Sequence, residues 1–444
     1  MKTVALIIAT NFLLYVLCVY LGLERVFLNI DYILVIICWA FISKRFTGLL
    51  WCIVLIADVL MCLRQIFPFF RLQDILYISK FIWISSDYYK FYVFLLITYL
   101  CLGVYILIKS HNHKKMTVWL IFVSSFLYLS QTLYQQFNPY EKKIWIESEV
   151  VEFVVLQYRD FHQSLRDQSK PLIALTKNPE ATDNLRKNFD EIAHSQKNVL
   201  LIAAESLGYP RDPLILEEIL KPLKQNPALN FTKISKASYI SATVDAELRE
   251  LCKAQSINFN LKDNFDGFSS CLPHWFKDKF YETTAMHGAL GLMYDRKHWY
   301  PRAGFDQVIF QESKDWKTRC YSFPGVCDRE LIKEIPKKFT QSKPQFFYWL
   351  TLNSHAVYDS RDIYIDIFDC KKFNIENNSE SCRNLKLQAQ FLYLLADLTK
   401  NPKMQNTEVI VVGDHSPAIM NLTEKVRVFE GNNVLVLNFS IDRV

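Results

Sequence analysis

Residues 198–206 read NVLLIAAES. An unbroken apolar run of this length, flanked by Lys197 and Glu205, is the pattern of a β-strand buried on both faces. Two other runs match it, Gln345–Leu352 (QFFYWLTL) and Glu408–Val412 (EVIVV). Helical patterns fall between them at Asp245–Lys253, Asp328–Phe339 and Ser379–Leu398. Strands alternating with helices predict an α/β domain with a mainly parallel central sheet covered on both faces. Ligands of such sheets gather beyond the carboxyl ends of the strands. There the chain places Glu205 after the first run, His355 (TLNSHAVY) after the second, and Asp414 and His415 (VVGDHSP) after the third.

Carboxylate oxygens and an imidazole nitrogen are the donors that a catalytic Zn²⁺ or Mn²⁺ accepts while keeping a position open for substrate. Any one of these residues alone reads as a helix cap or loop residue; their placement at three strand ends is what singles them out. SATVDAELREL puts Thr243 just before an acidic first turn, where helix amides favour developing negative charge. Thr243 is thus a candidate nucleophile, or an ordinary N-cap.

The first part of the chain meets a different solvent. No charge lies between Lys2 and Glu24, and Thr3–Leu23 is long enough to cross a hydrocarbon core of roughly 30 Å. A cleaved signal peptide is the alternative, but more apolar runs follow: Val26–Ile42 interrupted by Asp31, Phe46–Leu63 interrupted by Asp58, Phe91–Ile108 and Met116–Tyr134. Five spans are expected, the second and third also readable as one re-entrant hairpin. Lys2, Lys44 and Arg45, and Lys109, Lys114 and Lys115 would lie in the cytoplasm by the positive-inside rule, which puts everything after Tyr134 outside. Asp58 reads either as a functional group or as an acid facing a neighbouring helix. The aromatic stretch 67–89 suits an interfacial amphipathic element. The expected division is a transmembrane domain over 1–135, a helical connector along the membrane surface over 136–196, and an extracytoplasmic domain over 197–444.

Composition narrows the rest. With 51% hydrophobic and 22% charged residues the chain is not disordered, and its net charge of +6 comes without the basic tracts of a nucleic-acid binder. Neither G-x-G-x-x-G nor G-x-x-x-x-G-K-S/T occurs, which disfavours the corresponding dinucleotide and ATP enzymes. Five cysteines lie in the expected spans. The other six, Cys252, Cys271, Cys320, Cys327, Cys370 and Cys382, are even in number and fit disulfides in an oxidising compartment. Pairing of sequence neighbours is one of the 15 connectivities that six cysteines allow.

In order, these residues resemble the alkaline phosphatase and sulfatase superfamily, specifically its membrane branch of lipoteichoic acid synthases, phosphoglycerol transferases and phosphoethanolamine transferases. The resemblance rests on the five spans, a strand ending in A-E-S, the T-x-x-A-E-x-x-x-L helix start, the stretch MYDRKHWYPRAGFD, an S-H after a strand, and V-V-G-D-H-S-P. It implies one divalent ion, Zn or Mn with Mg possible, held by Glu205, Thr243, Asp414 and His415, with Thr243 as nucleophile. It also implies substrate contacts by His355, Arg296 and Tyr294, with His287 either lining the pocket or structural.

The implied activity is transfer of a phospholipid headgroup, phosphoglycerol or phosphoethanolamine, through a phospho-threonine to an envelope glycan or lipid. The implied location is the bacterial cytoplasmic membrane, multi-pass, with the catalytic domain in the periplasm. A phosphodiesterase of the same fold and a catalytically silent envelope scaffold are the rivals. The chain departs from the family pattern at Ala204, where relatives have Gly, and at Ser241 and Ala242; with few residues after Pro417, the C-terminal helix of many relatives is expected to be missing. Cys271-Leu-Pro-His-Trp lacks the arginine of a formylglycine motif, which disfavours sulfate ester hydrolysis.

Overall fold

The computed structural model describes residues 2–20, 23–66, 87–109, 114–137, 145–158, 172–239, 243–257, 260–263, 265–323, 325–339 and 342–442. It divides into two compact units, Met1–Asp167 and Gln168–Val444.

Among the described residues the first unit holds helices on the five expected apolar runs, α1 (Lys2–Tyr20), α2 (Ile30–Phe41), α3 (Lys44–Ile66), α4 (Asp87–Lys109) and α5 (Lys114–Phe137), and a further helix, Glu149–Tyr158. Three of them hold stretches long and apolar enough to cross a membrane, Lys44–Gln65, Lys90–Lys109 and Thr117–Phe137. Leu49, Phe94 and Phe122 are among the large apolar side chains these helices leave exposed. Such surface is stable only against lipid or another apolar partner.

Within the expected span Val26–Ile42 the helix is shorter than the apolar run suggests. It has 12 residues, about 18 Å at 1.5 Å per residue. The cause is Asn29, whose side chain accepts from Asp31 N at 3.0 Å and starts the helix there, while Leu28–Asn29 pairs in parallel with Ile146–Glu147. Asp58 is paired: Arg25 Nε and Nη2 donate to its oxygens at 2.9 and 2.7 Å, and both side chains are buried. Asp31 in turn accepts from Ser148 Oγ at 2.6 Å and Val150 N at 3.0 Å, tying the segment after α5 back to the bundle. Of the expected interfacial stretch 67–89, residues 67–86 lie outside the described residues.

The second unit is built on an eight-stranded sheet of β1 (Asn198–Ala204), β2 (Gly208–Pro210), β3 (Leu229–Ser238), β4 (Glu282–His287), β5 (Gln307–Ile309), β6 (Gln345–Leu350), β7 (Thr407–Gly413) and β8 (Phe429–Ile441). The order is β2-β8-β7-β1-β6-β4-β5, with β3 also on β8. The run β7-β1-β6-β4-β5 is parallel, but β8 is antiparallel to β7, β2 and β3. The sheet is therefore mixed, not mainly parallel: after β7 a short helix, Leu422–Val428, turns the chain straight back as β8.

Side chains alternate across the sheet as the two-residue period requires. Leu200, Ile202, Phe347, Trp349 and Val411 pack on one side against helices α6 (Pro213–Lys224) and α7 (Glu380–Thr399). Val199, Leu201, Phe346, Tyr348 and Val412 pack on the other with Val244, Leu248 and Trp299. The three strands read from sequence are the adjacent trio β7-β1-β6, with Gly413 opposite Ala204 and Leu350 opposite Ala203.

Cys252–Cys271 and Cys370–Cys382 form disulfides. Cys320 and Cys327 are buried free thiols, contrary to the neighbour pairing. Their loop is closed by other means: Cys320 N donates to Gly325 O, and the Asp362 carboxylate accepts from Tyr321 N and Ser322 N.

Candidate active site and metal centre

Glu205 follows β1 directly and is gripped by the segment after β6. Its N–H donates to Thr351 Oγ1 at 2.9 Å, and its carbonyl accepts from Ser354 Oγ at 2.5 Å. Asp414 follows β7 and donates its N–H to Ala204 O at 3.1 Å. The residue between strand and acid must be glycine, because a Cβ on Gly413 would stand 2.1 Å from Leu207 O. Adjacent parallel strands thus deliver the two carboxylates to one place.

His415 completes the cluster. Its Nε2 lies 3.2 Å from Glu205 Oε1 and 3.4 Å from Asp414 Oδ2. Nδ1 is 3.0 Å from Ser416 O and so carries a hydrogen, which aims Nε2 at the acids. The Thr243 side chain, at the start of the Thr243–Cys252 helix, acts on the Asp414 carboxylate and works against the rise in its pKa. Residues 240–242 just before it lie outside the described residues.

The electrostatics are those of too little positive charge. Burial and the neighbouring Glu205 charge push Asp414 up to about 7. Burial acts the same way on Glu205, but His355 and His415 outweigh it and hold Glu205 down at about 2. Burial lowers His415, yet the Asp414 and Glu205 carboxylates raise it to about 10. A proton on the imidazole thus holds the acids together.

Three observations fit a divalent ion to the same place. Glu205, Asp414 and His415 each offer a ligand atom, all within 4.8 Å of one another. Separations of 3.2 and 3.4 Å match the edge of about 3.3 Å in a tetrahedron with metal–ligand bonds of about 2.0 Å. Asp414 Oδ2 is buried without a hydrogen-bond partner. Two carboxylates, a hydroxyl and an imidazole form a donor set suited to Zn²⁺ or Mn²⁺.

Three of the remaining expected residues, His355, His287 and Tyr294, interact electrostatically with the cluster. His355 is half-buried; its Nδ1 is 2.6 Å from Ala356 O, its ring lies 4.7 Å from that of Phe323, and its charge acts on Glu205. His287, at the end of β4, is buried with Nδ1 3.0 Å from Leu350 O; burial and then Arg296 lower its pKa to about 3, so it is neutral. Tyr294 lies where Glu205 and Asp414 act on it electrostatically, its ring 4.9 Å from the Arg296 guanidinium.

Arg296 is buried, and Glu247 engages it through Nε at 2.9 Å and Nη2 at 2.7 Å. The Nε–Nη2 edge of this arginine, expected to contact substrate, is therefore occupied, leaving Nη1, 3.3 Å from Met293 O, as the nitrogen with the weakest contact. Tyr300 and Tyr348 also donate to Glu247. Glu247 was absent from the sequence-based set; the available signal was its position four residues after Thr243, on the same helical face.

Residues 197–435 match the sulfatase family model. No curated protein matches the sequence significantly. Among solved structures, the chain is similar to the lipoteichoic acid synthase LtaP from Listeria monocytogenes, with 15% identity over 58% of this chain and 72% of that one and a TM-score of 0.44. The Streptococcus pyogenes phosphoglycerol transferase GacH, in complex with sn-glycerol-1-phosphate, matches at 18% identity over 61% and 76%, with a TM-score of 0.42. The periplasmic domain of EptC from Escherichia coli, in complex with Zn, matches at 13% identity over 56% and 73%, with a TM-score of 0.40.

Proposed function

The chain belongs to the sulfatase family of enzymes, and from that premise we propose that it is a metal-dependent phosphotransferase. It moves phosphoglycerol or phosphoethanolamine from a membrane phospholipid to an envelope glycan or lipid. The observation that carries this reading is the meeting of Glu205, Asp414, His415 and Thr243 at the ends of adjacent strands. Glu205, Asp414, His415 and the Thr243 hydroxyl would hold one divalent ion, which supplies Lewis acidity and lowers the pKa of a bound hydroxyl.

Thr243, its hydroxyl proton passed to solvent, attacks the phosphorus of the lipid diester as the Oγ alkoxide; a new Oγ–P bond forms as the bond to the diacylglycerol oxygen breaks. His355, with Nδ1 held by Ala356 O, presents Nε2 to give the leaving oxygen its proton and later to take one from the acceptor hydroxyl. That hydroxyl attacks the phospho-threonine, releasing Thr243. Arg296 and Tyr294 wall the phosphate subsite, and the neutral His287, whose Nδ1–H donates to Leu350 O, keeps Nε2 as an acceptor for a headgroup hydroxyl or ammonium.

The apolar helices serve as a multi-pass anchor of five passes in the bacterial cytoplasmic membrane, α2 being the shortest. The catalytic domain lies in the periplasm, a location that the two disulfides favour. The test is mass spectrometry of Thr243-containing peptides after incubation with mixed phospholipids. An added phosphoglycerol or phosphoethanolamine mass is expected, and an unmodified Thr243 under turnover overturns the reading.

A further inference from the structure

Helix α7 buries an amide pair that none of the chemistry above uses. Asn384 and Gln388, one turn apart, are 0% and 1% exposed on a face that otherwise buries Leu385, Leu392 and Leu395. Buried amides are costly unless hydrogen-bonded. Gln388 Nε2 donates to Ser206 O at 2.7 Å and to Asn384 Oδ1 at 2.6 Å, and Asn384 Nδ2 donates to Ser206 O at 3.3 Å. Both side chains therefore end on one carbonyl.

Ser206 is an unusual residue to hold. Its φ of 52° is left-handed, a conformation that non-glycine residues keep only where their surroundings fix it. Its other two polar groups reach the two acids: N–H donates to Asp414 Oδ1 at 2.8 Å, and Oγ donates to Glu205 Oε1 at 3.1 Å. A single residue thus bridges two carboxylates that repel each other, and its third polar atom is pinned from behind.

We propose that Asn384 and Gln388 are positioning residues for the cation site: by holding Ser206 O they fix the left-handed turn that sets the spacing of Glu205 and Asp414. The inference rests on the metal reading above. Groups that orient ligands in this way typically change metal affinity by about 10- to 100-fold.

The experiment compares the full chain in detergent with Gln388→Met and Ser206→Gly, measuring zinc affinity by competition with a chromophoric chelator and unfolding of the metal-free protein. Ser206→Gly removes the Oγ arm while accepting the backbone conformation freely, so its metal-free unfolding temperature is expected to hold or rise. Zinc affinity is expected to fall about 10- to 100-fold in both variants. Wild-type affinity in folded variants overturns the proposal and leaves the metal reading standing. A wild-type chain that binds no zinc overturns both. If Gln388→Met does not fold, Asn384→Ala, which removes the longer 3.3 Å contact to Ser206 O, decides in its place.

Discussion

Two buried charge clusters flank the Thr243–Cys252 helix, and they are built on opposite terms. At its start, Glu205 and Asp414 share one imidazole, and Asp414 Oδ2 has no hydrogen-bond partner. One turn later, the single Glu247 carboxylate takes two contacts from Arg296 and one each from Tyr300 and Tyr348. The first is short of positive charge and the second is saturated. An unsaturated cluster is built for something that arrives, whereas a saturated one is a strut between elements.

The contrast breaks most visibly at Thr243. Thr243→Ala removes the nucleophile while leaving both clusters otherwise intact, so turnover is expected to fall by about 10⁴-fold or more. Retained turnover, measured as release of diacylglycerol from phospholipid, would move the nucleophile elsewhere.

Removing an acid should have opposite consequences in the two clusters. Glu247→Ala strands the Arg296 guanidinium, whose side chain is only 2% exposed, and is expected to cost about 3–5 kcal/mol of stability. Asp414→Asn relieves repulsion between two buried acids, so the metal-free protein is expected to unfold at an unchanged or higher temperature while zinc binding is lost. Thermal unfolding with and without EDTA separates the cases. Equal destabilisation by both variants would mean that the Glu205 and Asp414 cluster is a strut as well.

The pH dependence of the metal-free protein sharpens the same point. His415 is raised to about 10, so its contribution is complete below its ordinary value of 6.5 and is lost as pH rises through about 10. Asp414, raised to about 7, works in the same direction: its contribution is complete below 3.8 and is lost as pH rises through about 7. Glu205, held at about 2, matters only at the acid end, where stability is lost as pH falls through that value. Metal-free stability should therefore decline from about pH 5 to pH 10, while the stabilisation given by zinc grows as protons leave the ligands. Unfolding curves at pH 5 and pH 8, with and without zinc, check both slopes.

Much of this was open to reading in the chain, and the gaps have physical causes. The runs 198–204, 345–350 and 407–413 are buried on both faces, so a continuous apolar signal marked each and the acids after them followed. The strand Phe429–Ile441 escaped because Gly431, Asn432 and Asn433 interrupt it and two of its antiparallel partners, Gly208–Pro210 and Leu229–Ser238, are far away in sequence. The short α2 was hidden for a related reason: Asn29 caps the helix at Asp31 while its backbone pairs with residues 146–147, far away in sequence. Glu247 lay in plain view on its helix, but its partner Arg296 is 49 residues away. Ser206 reads as no more than the end of a motif, since nothing local announces that Asn384 and Gln388 reach it from α7.

The finest probe of saturation is Tyr348→Phe. The lost hydroxyl contact to Glu247 Oε1 is 3.3 Å long, and that oxygen keeps Tyr300 while Oε2 keeps both Arg296 nitrogens. No buried acceptor is orphaned and the ring still fills its place in the sheet face, so the expected loss is about 0.5–1 kcal/mol with unchanged zinc affinity. If the cluster were instead poised to release Arg296 to substrate, weakening the grip on Glu247 would change KM for the phospholipid at constant kcat, and the two parameters measured together distinguish a strut from a gate.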